Sequence, residues 1–166
     1  MTPQEFLAAI GPGARLSNID TGIPASFTLA QAALESGWGE SDLAVQSKNL
    51  FGIKCSPGWT GKCQEWPTKE YSPERGWYEI RAQFRSYPSW AASLDDHARF
   101  FFVNPRYRPA LSVRTDPNAF ARQVQACGYA TAPNYADLII EIMQDNNLYQ
   151  FDVPQTEWKL LPWAKV

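Results

Sequence analysis

Residues 26–39 read SFTLAQAALESGWG, and proline stands two positions before them, at 24. Proline suits the first turn of a helix, where its missing N–H has no intrahelical partner to lose. Gly37 and Gly39 supply a stop, so the spacing predicts one helix from about 24 to 37. Phe27, Ala30, Ala33, Leu34 and Gly37 recur at helical spacing and are expected to face a core. Glu35 lies off that stripe, on a line with Thr28, Gln31 and Trp38. A glutamate thus sits in the last turn of a helix, close to a tryptophan.

Toward the N-terminus, residues 2–10 are expected to form a short helix stopped by Gly11-Pro12-Gly13, with a second short helix ending near Gly22. Toward the C-terminus, glycines and prolines punctuate residues 50–87 and the period drops to two. Tyr78, Ile80, Ala82 and Phe84 share one face, while Glu79, Arg81, Gln83 and Arg85 share the other. QEWPTKEY (64–71) is the expected antiparallel partner, with the turn at SPERG (72–76). The helical period then returns. Ser89 caps a helix carrying Trp90, Leu94, His97 and Phe101, which breaks at Asn104-Pro105. Asp116-Pro117 opens the next, with Phe120, Val124 and Cys127 inward and Gly128 as its stop. Pro133 opens a last helix with Tyr135, Leu138, Ile139 and Ile142 inward. The fold class that results is mainly α (α+β): a helical body with a small antiparallel β-lobe at about 50–87. One domain is expected over residues 1–152, followed by a tail without clear period over 153–166. Two lobes leave a cleft between them, which suits an extended ligand.

Composition excludes several classes. Fifteen basic residues against 17 acidic give a net charge of −2, with no electrostatic footprint for nucleic acid and no basic run for a membrane surface. The first twenty residues lack a charged start followed by an apolar stretch, so no signal peptide is expected, and no segment reaches the ~18 apolar residues of a membrane span. A monomer is expected. Cys55 and Cys63 flank SPGWTGK. They either close a small loop, for roughly 2–3 kcal/mol in the chain-entropy picture, or remain two separate thiols. Cys127 is expected to be a small buried hydrophobe. One histidine and three cysteines lack any paired-ligand spacing, so no metal is expected.

Glu35 is the first candidate for chemistry. Cutting an acetal near neutral pH needs a carboxyl that keeps its proton. An apolar wall provides this by disfavouring the anion, and the negative end of a helix adds weakly in the same direction. The bland alternative is a solvated glutamate at a helix end. A second carboxylate is generally needed across the scissile bond. Glu65, Glu70, Glu74 and Glu79 of the β-lobe all qualify, and chemistry alone does not choose among them.

The run Ser26 to Gly39, followed by Asn49-Leu50-Phe51-Gly52-Ile53-Lys54, resembles the glucosaminidase family, glycoside hydrolase family 73, whose members include a flagellar rod-cap peptidoglycan hydrolase and many autolysins. Phe84-Arg85-Ser86-Tyr87, Asp96-His97, Asn104-Pro105-Arg106-Tyr107, Gly128-Tyr129-Ala130-Thr131 and Tyr135-Ala136 extend the resemblance over roughly residues 3–150. It implies a lysozyme-like fold and hydrolysis of the GlcNAc-β-1,4-MurNAc bond in peptidoglycan glycan strands, without a cofactor. The family's catalytic acid falls on Glu35, its second carboxylate on Glu70 within Lys69-Glu70-Tyr71, and the tyrosine of its Gly-Tyr-Ala motif on Tyr129. Lys69 stands where the family often has threonine, and Ala132 where it often has aspartate. Trp38, Asn49, Phe51, Tyr135 and Trp77 are expected to line the sugar site. Phe51 fits the core equally well, and Trp59 and Trp77 either stack on sugars or fill the β-lobe. His97, on an apolar helical face, reads as a hydrogen-bonded packing residue rather than an acid or base. A lytic transglycosylase, a muramidase or a non-catalytic wall-binding module on the same body are the alternatives. The expected place of action is the bacterial wall or periplasm, reached as a phage endolysin, a secreted effector or a processed form.

Overall fold

The computed structural model describes residues 1–166. Its first helix, α1 (Pro3–Thr21), corrects the expectation of two short ones. Thr2 caps it in a reciprocal box with Glu5. Pro12 lies inside the helix, on its exposed side, so the backbone carbonyl it leaves unpaired faces water. The cost of an internal proline, about 3 kcal/mol, is offset by the opposite face, where Phe6, Ile10, Ala14, Ser17, Asn18 and Thr21 are buried. The flanking glycines are there for room rather than as stops. A Cβ at Gly11 would come within 3.0 Å of the Phe151 ring, and one at Gly13 within 2.7 Å of Leu94.

The second helix, α2 (Ala25–Ser36), is the axle of the molecule. It is not amphipathic, as its stripe suggested. Every residue from Ala25 to Ala33 is buried, because α1, the later helices and the turn at Leu148–Phe151 surround it. Pro24 precedes the helix and offers no side-chain cap. The carboxylate of Asp152, 126 residues away, takes that role by accepting from the Ser26 amide (2.7 Å) and hydroxyl (2.8 Å).

After the short α3 (Asp42–Gln46) comes the β-lobe, a two-stranded antiparallel sheet of β1 (Lys62–Ser72) and β2 (Gly76–Ser86). Its register pairs Lys62 with Ser86 and Glu70 with Tyr78, and the expected turn closes it. Burial alternates along β2 as the period of two requires. Cys55 and Cys63 are joined in a disulfide that closes the loop over Trp59. The chain returns to the body through α4 (Trp90–Val103), capped by Ser89, then α5 (Arg108–Leu111), α6 (Pro117–Ala126), capped by Asp116, and α7 (Tyr135–Asp145). Pro133 sits in the turn before α7, and the buried face there is Tyr135, Ala136, Ile139, Ile140 and Met143. Leu138 and Ile142 lie on its half-exposed flank, since α7 packs against both α2 and α6 and its buried arc centres between them. Cys127 is half-buried at the C-terminus of α6 and carries a free thiol.

An aromatic cluster fills the body. Phe27 meets Phe120 edge-on at 4.7 Å, and Phe101 meets Tyr107 edge-on at 5.1 Å. Residues 153–166 fold back onto it. Lys159 and Leu161 donate their amides to the carbonyls of Ile19 and Asp20 at the end of α1, and Trp163 packs edge-on against Phe102. No helix is long and apolar enough to cross a membrane.

Candidate active site

The chain leaves α2 through three consecutive left-handed residues, Gly37 (φ 58°), Trp38 (φ 57°) and Gly39 (φ 82°). Left-handed backbone is unfavourable for tryptophan, and the surroundings hold it there. Ser36 Oγ donates to the Ala32 carbonyl and accepts from the Gly39 amide at 2.8 Å, and the Trp38 ring is seated edge-on against Phe6 at 5.9 Å. Trp38 is thereby half-buried with its ring against Phe6 of α1. The groups that touch Glu35 include Tyr135, Tyr129 and the turn at Gly52.

That environment decides the charge of the carboxyl. Burial among these groups pushes Glu35 up to about 7, opposed by one hydrogen bond from the Tyr135 hydroxyl to Oε1 at 3.0 Å. Tyr135 in turn accepts from Gln31 Nε2 at 2.7 Å, and Gln31 Oε1 lies 2.6 Å from His97 Nε2. His97 is fully buried, its ring stacked on Phe51 at 3.7 Å. Burial drives its basicity down to about 3, so it is neutral and unsuited to acid or base work at neutral pH. Tyr129 donates to the Phe51 carbonyl at 3.3 Å and stacks on Tyr135 at 5.8 Å. Burial and the neighbouring Glu35 raise both phenols well above their ordinary value, so both remain donors.

Of the four glutamates of the β-lobe, register singles out one. Glu70 lies opposite Tyr78 on the half-buried face, the face that also carries Trp66, Thr68, Ile80 and Ala82. Glu65 is exposed and paired with Arg81 at 2.8 Å, Glu79 lies opposite Lys69 on the outer face, and Glu74 is in the exposed hairpin turn. Glu70 forms an ion pair with Lys54. The loop Asn49–Lys54 thus touches both carboxylates. A Cβ added to Gly52 would lie 3.8 Å from Glu35 Oε2, and Lys54, two residues on, holds Glu70.

The side chains of Asn49 and Phe51 are buried inside the molecule rather than open to the cleft. Asn49 is 1% exposed and its carboxamide is fully used. It donates to the carbonyls of Ile53 and Arg85 and accepts from the amides of Phe51 and Ile53. Phe51 is equally buried, as the floor under His97. Trp77 is 60% exposed and lies opposite Tyr71, on the sheet face away from Glu70. Trp59 is half-buried, held between the Arg85 guanidinium, at 4.6 Å, and Gly61. Lys54 and Gln31 have site roles that the sequence reading did not assign. Lys54 closes the quoted Asn49–Lys54 motif and Gln31 stands one helical turn before Glu35, so position offered a signal for both. No three His, Cys, Asp or Glu side chains lie together to hold a metal ion.

The glucosaminidase family model, described as mannosyl-glycoprotein endo-beta-N-acetylglucosaminidase, matches residues 11–148. Peptidoglycan hydrolase FlgJ of Pseudomonas aeruginosa is 39% identical over 150 residues, covering 88% of this chain and 37% of that protein. Exo-glucosaminidase LytG of Bacillus subtilis is 40% identical over 133 residues, covering 76% and 45%. A crystal structure of a peptidoglycan hydrolase mutant from Sphingomonas sp. A1 superposes with a TM-score of 0.79 at 39% identity, covering 89% of this chain and 97% of that one. The chain spans less than half the length of these two curated relatives. The expected lysozyme-like body is the fold of such domains. Because the match runs from α1 through α7 and takes in Glu35, the β-lobe, Tyr129 and Tyr135, the chain belongs to the glucosaminidase family.

Proposed function

We propose that the chain is an endo-N-acetylglucosaminidase that hydrolyses the GlcNAc-β-1,4-MurNAc bond of peptidoglycan at the bacterial wall, with Glu35 as the general acid. One observation carries the reading: a carboxyl at the end of α2 is raised to about 7 by burial and lies beside the Asn49–Lys54 loop, whose Lys54 holds a carboxylate of the β-lobe. A group near that value is protonated in about half of the molecules at neutral pH and still releases the proton readily. Glu35 gives its proton to the glycosidic oxygen as the bond from that oxygen to C1 of GlcNAc breaks. Water then adds to C1, and its proton returns to a carboxylate. Glu70 polarises that water or the substrate's own N-acetyl group, and Tyr129 orients the sugar beside the breaking bond. The relatives' names, peptidoglycan hydrolase and exo-glucosaminidase, support peptidoglycan as the substrate and glucosaminidase chemistry.

Digestion of purified peptidoglycan, followed by borohydride reduction and mass spectrometry, tests the reading. Muropeptides ending in reduced GlcNAc are expected. Reduced MurNAc would make the protein a muramidase, and 1,6-anhydro-MurNAc a lytic transglycosylase.

A further inference from the structure

His97 and Gln31 are buried, polar and too far along the chain of contacts to touch substrate, yet they end on the acid. The link runs from His97 Nε2 to Gln31 Oε1 (2.6 Å), from Gln31 Nε2 to the Tyr135 oxygen (2.7 Å), and from the Tyr135 hydroxyl to Glu35 Oε1 (3.0 Å). Such a chain can run in either direction, and one atom decides which. His97 Nδ1 is buried with no partner. A buried N–H without an acceptor is rarer and costlier than a bare acceptor nitrogen. The neutral imidazole therefore carries its hydrogen on Nε2 and donates to Gln31. Gln31 must then present its amide hydrogens to Tyr135, and Tyr135, its oxygen engaged as acceptor, must donate to Glu35.

We infer that Gln31 and His97 are positioning residues for proton delivery: acting through Tyr135, they hold Oε1 of Glu35 as an acceptor, so that the transferable proton sits on Oε2. This deepens the reading of Glu35 as the acid and rests on it. Oε2 is the oxygen turned toward Gly52, in the loop that reaches across to Glu70. When the proton leaves Oε2 for the glycosidic oxygen, the carboxylate already has a donor at Oε1 and nothing must reorganise. The titratable groups around Glu35 are few. Tyr135 faces it from α7 and Tyr129 from the segment after α6, both as neutral phenols. His97 of α4 is neutral, and the charge of Lys54 is paired with Glu70 on β1. The Tyr135 donor is thus the hydrogen bond that opposes burial.

His97→Phe tests this, because a phenyl ring keeps the stack on Phe51 and removes the donor. Gln31 is then free to turn its carbonyl toward Tyr135, which donates to Gln31 instead of Glu35. Losing a hydrogen bond to a charged group should raise the Glu35 titration midpoint by about one unit. The readouts are a ¹³C-carboxyl NMR titration of Glu35 and the alkaline limb of the rate against pH on solubilised glycan strands. Both should move to higher pH together. A purely structural histidine would lower Tm and leave both midpoints in place, which overturns the proposal. A second measurement needs no variant: ¹⁵N NMR of His97 in the native protein should show hydrogen on Nε2 and none on Nδ1, and a protonated Nδ1 reverses the chain and overturns the proposal. The carboxyl titration requires no turnover, so failure of the glucosaminidase reading would show in the products while the relay is judged on its own.

Discussion

At the scale of single residues, Glu35 links chemistry to stability. Its carboxyl moves from an ordinary 4.5 in the unfolded chain to about 7 in the folded one. Below pH 4.5 both forms hold the proton. Between 4.5 and 7 the unfolded chain releases its proton first, so the folded protein loses stability as pH rises through that window, by about 3 kcal/mol in all. Glu35→Gln cannot ionise and escapes this loss. Calorimetry should find the variant melting with the wild type at pH 4.5 and clearly above it at pH 8; an equal gap at both values would mean that burial does not hold the carboxyl neutral. Asn49 makes the contrasting case. Its motif placed it at the cleft, but its partners are a carbonyl on β2 and the backbone of its own loop, which no local pattern announces. Asn49→Ala leaves the Arg85 carbonyl and the Phe51 and Ile53 amides without the partner Asn49 gives them, while the Ile53 carbonyl keeps the Arg85 amide, and should cost about 2–4 kcal/mol in urea denaturation, with little change in affinity for glycan. Weakened binding at full stability would return Asn49 to the sugar site.

At the scale of elements, what was legible followed from local rules, and what was missed came from tertiary packing. Ser89, Asp116 and the turn at 72–76 marked their elements correctly, because caps and turns are satisfied within a few residues. Gly11-Pro12-Gly13 misled for the opposite reason: the pressure that carries α1 through a proline comes from Phe151 and Leu94, far away in sequence. Likewise the stripe on α2 pointed to one buried face, whereas the later helices bury all of it. The β-lobe shows how a period of two carries function. Alternation placed Glu79 outward, and only the register, Glu70 against Tyr78, separates the working candidate from its three neighbours. Assayed side by side on one peptidoglycan preparation, Glu70→Gln should lose at least about tenfold in rate, while Glu65→Gln, Glu74→Gln and Glu79→Gln each stay within about threefold, since solvated glutamates contribute little to a remote barrier. A costly Glu65 or Glu79 would move the second carboxylate and leave Glu35 untouched.

At the scale of the whole molecule, the two lobes meet at the Asn49–Lys54 loop, and α2 carries Glu35 from the middle of the body to that junction. Asp152 caps one end of α2, and the strained turn at Gly37–Gly39 fixes the other. The aromatic cluster and the buried relay keep water from most of the Glu35 side chain, which is the physical origin of its retained proton. The family match adds the class of bond, a β-N-acetylglucosaminide. The central claim is that this architecture serves one proton transfer, and the rate of Glu35→Gln on purified peptidoglycan tests it most directly. With native circular dichroism confirming the fold, the rate should fall by ~10²–10⁴-fold, the usual cost of losing a general acid; a variant that keeps more than half the wild-type rate would contradict the assignment.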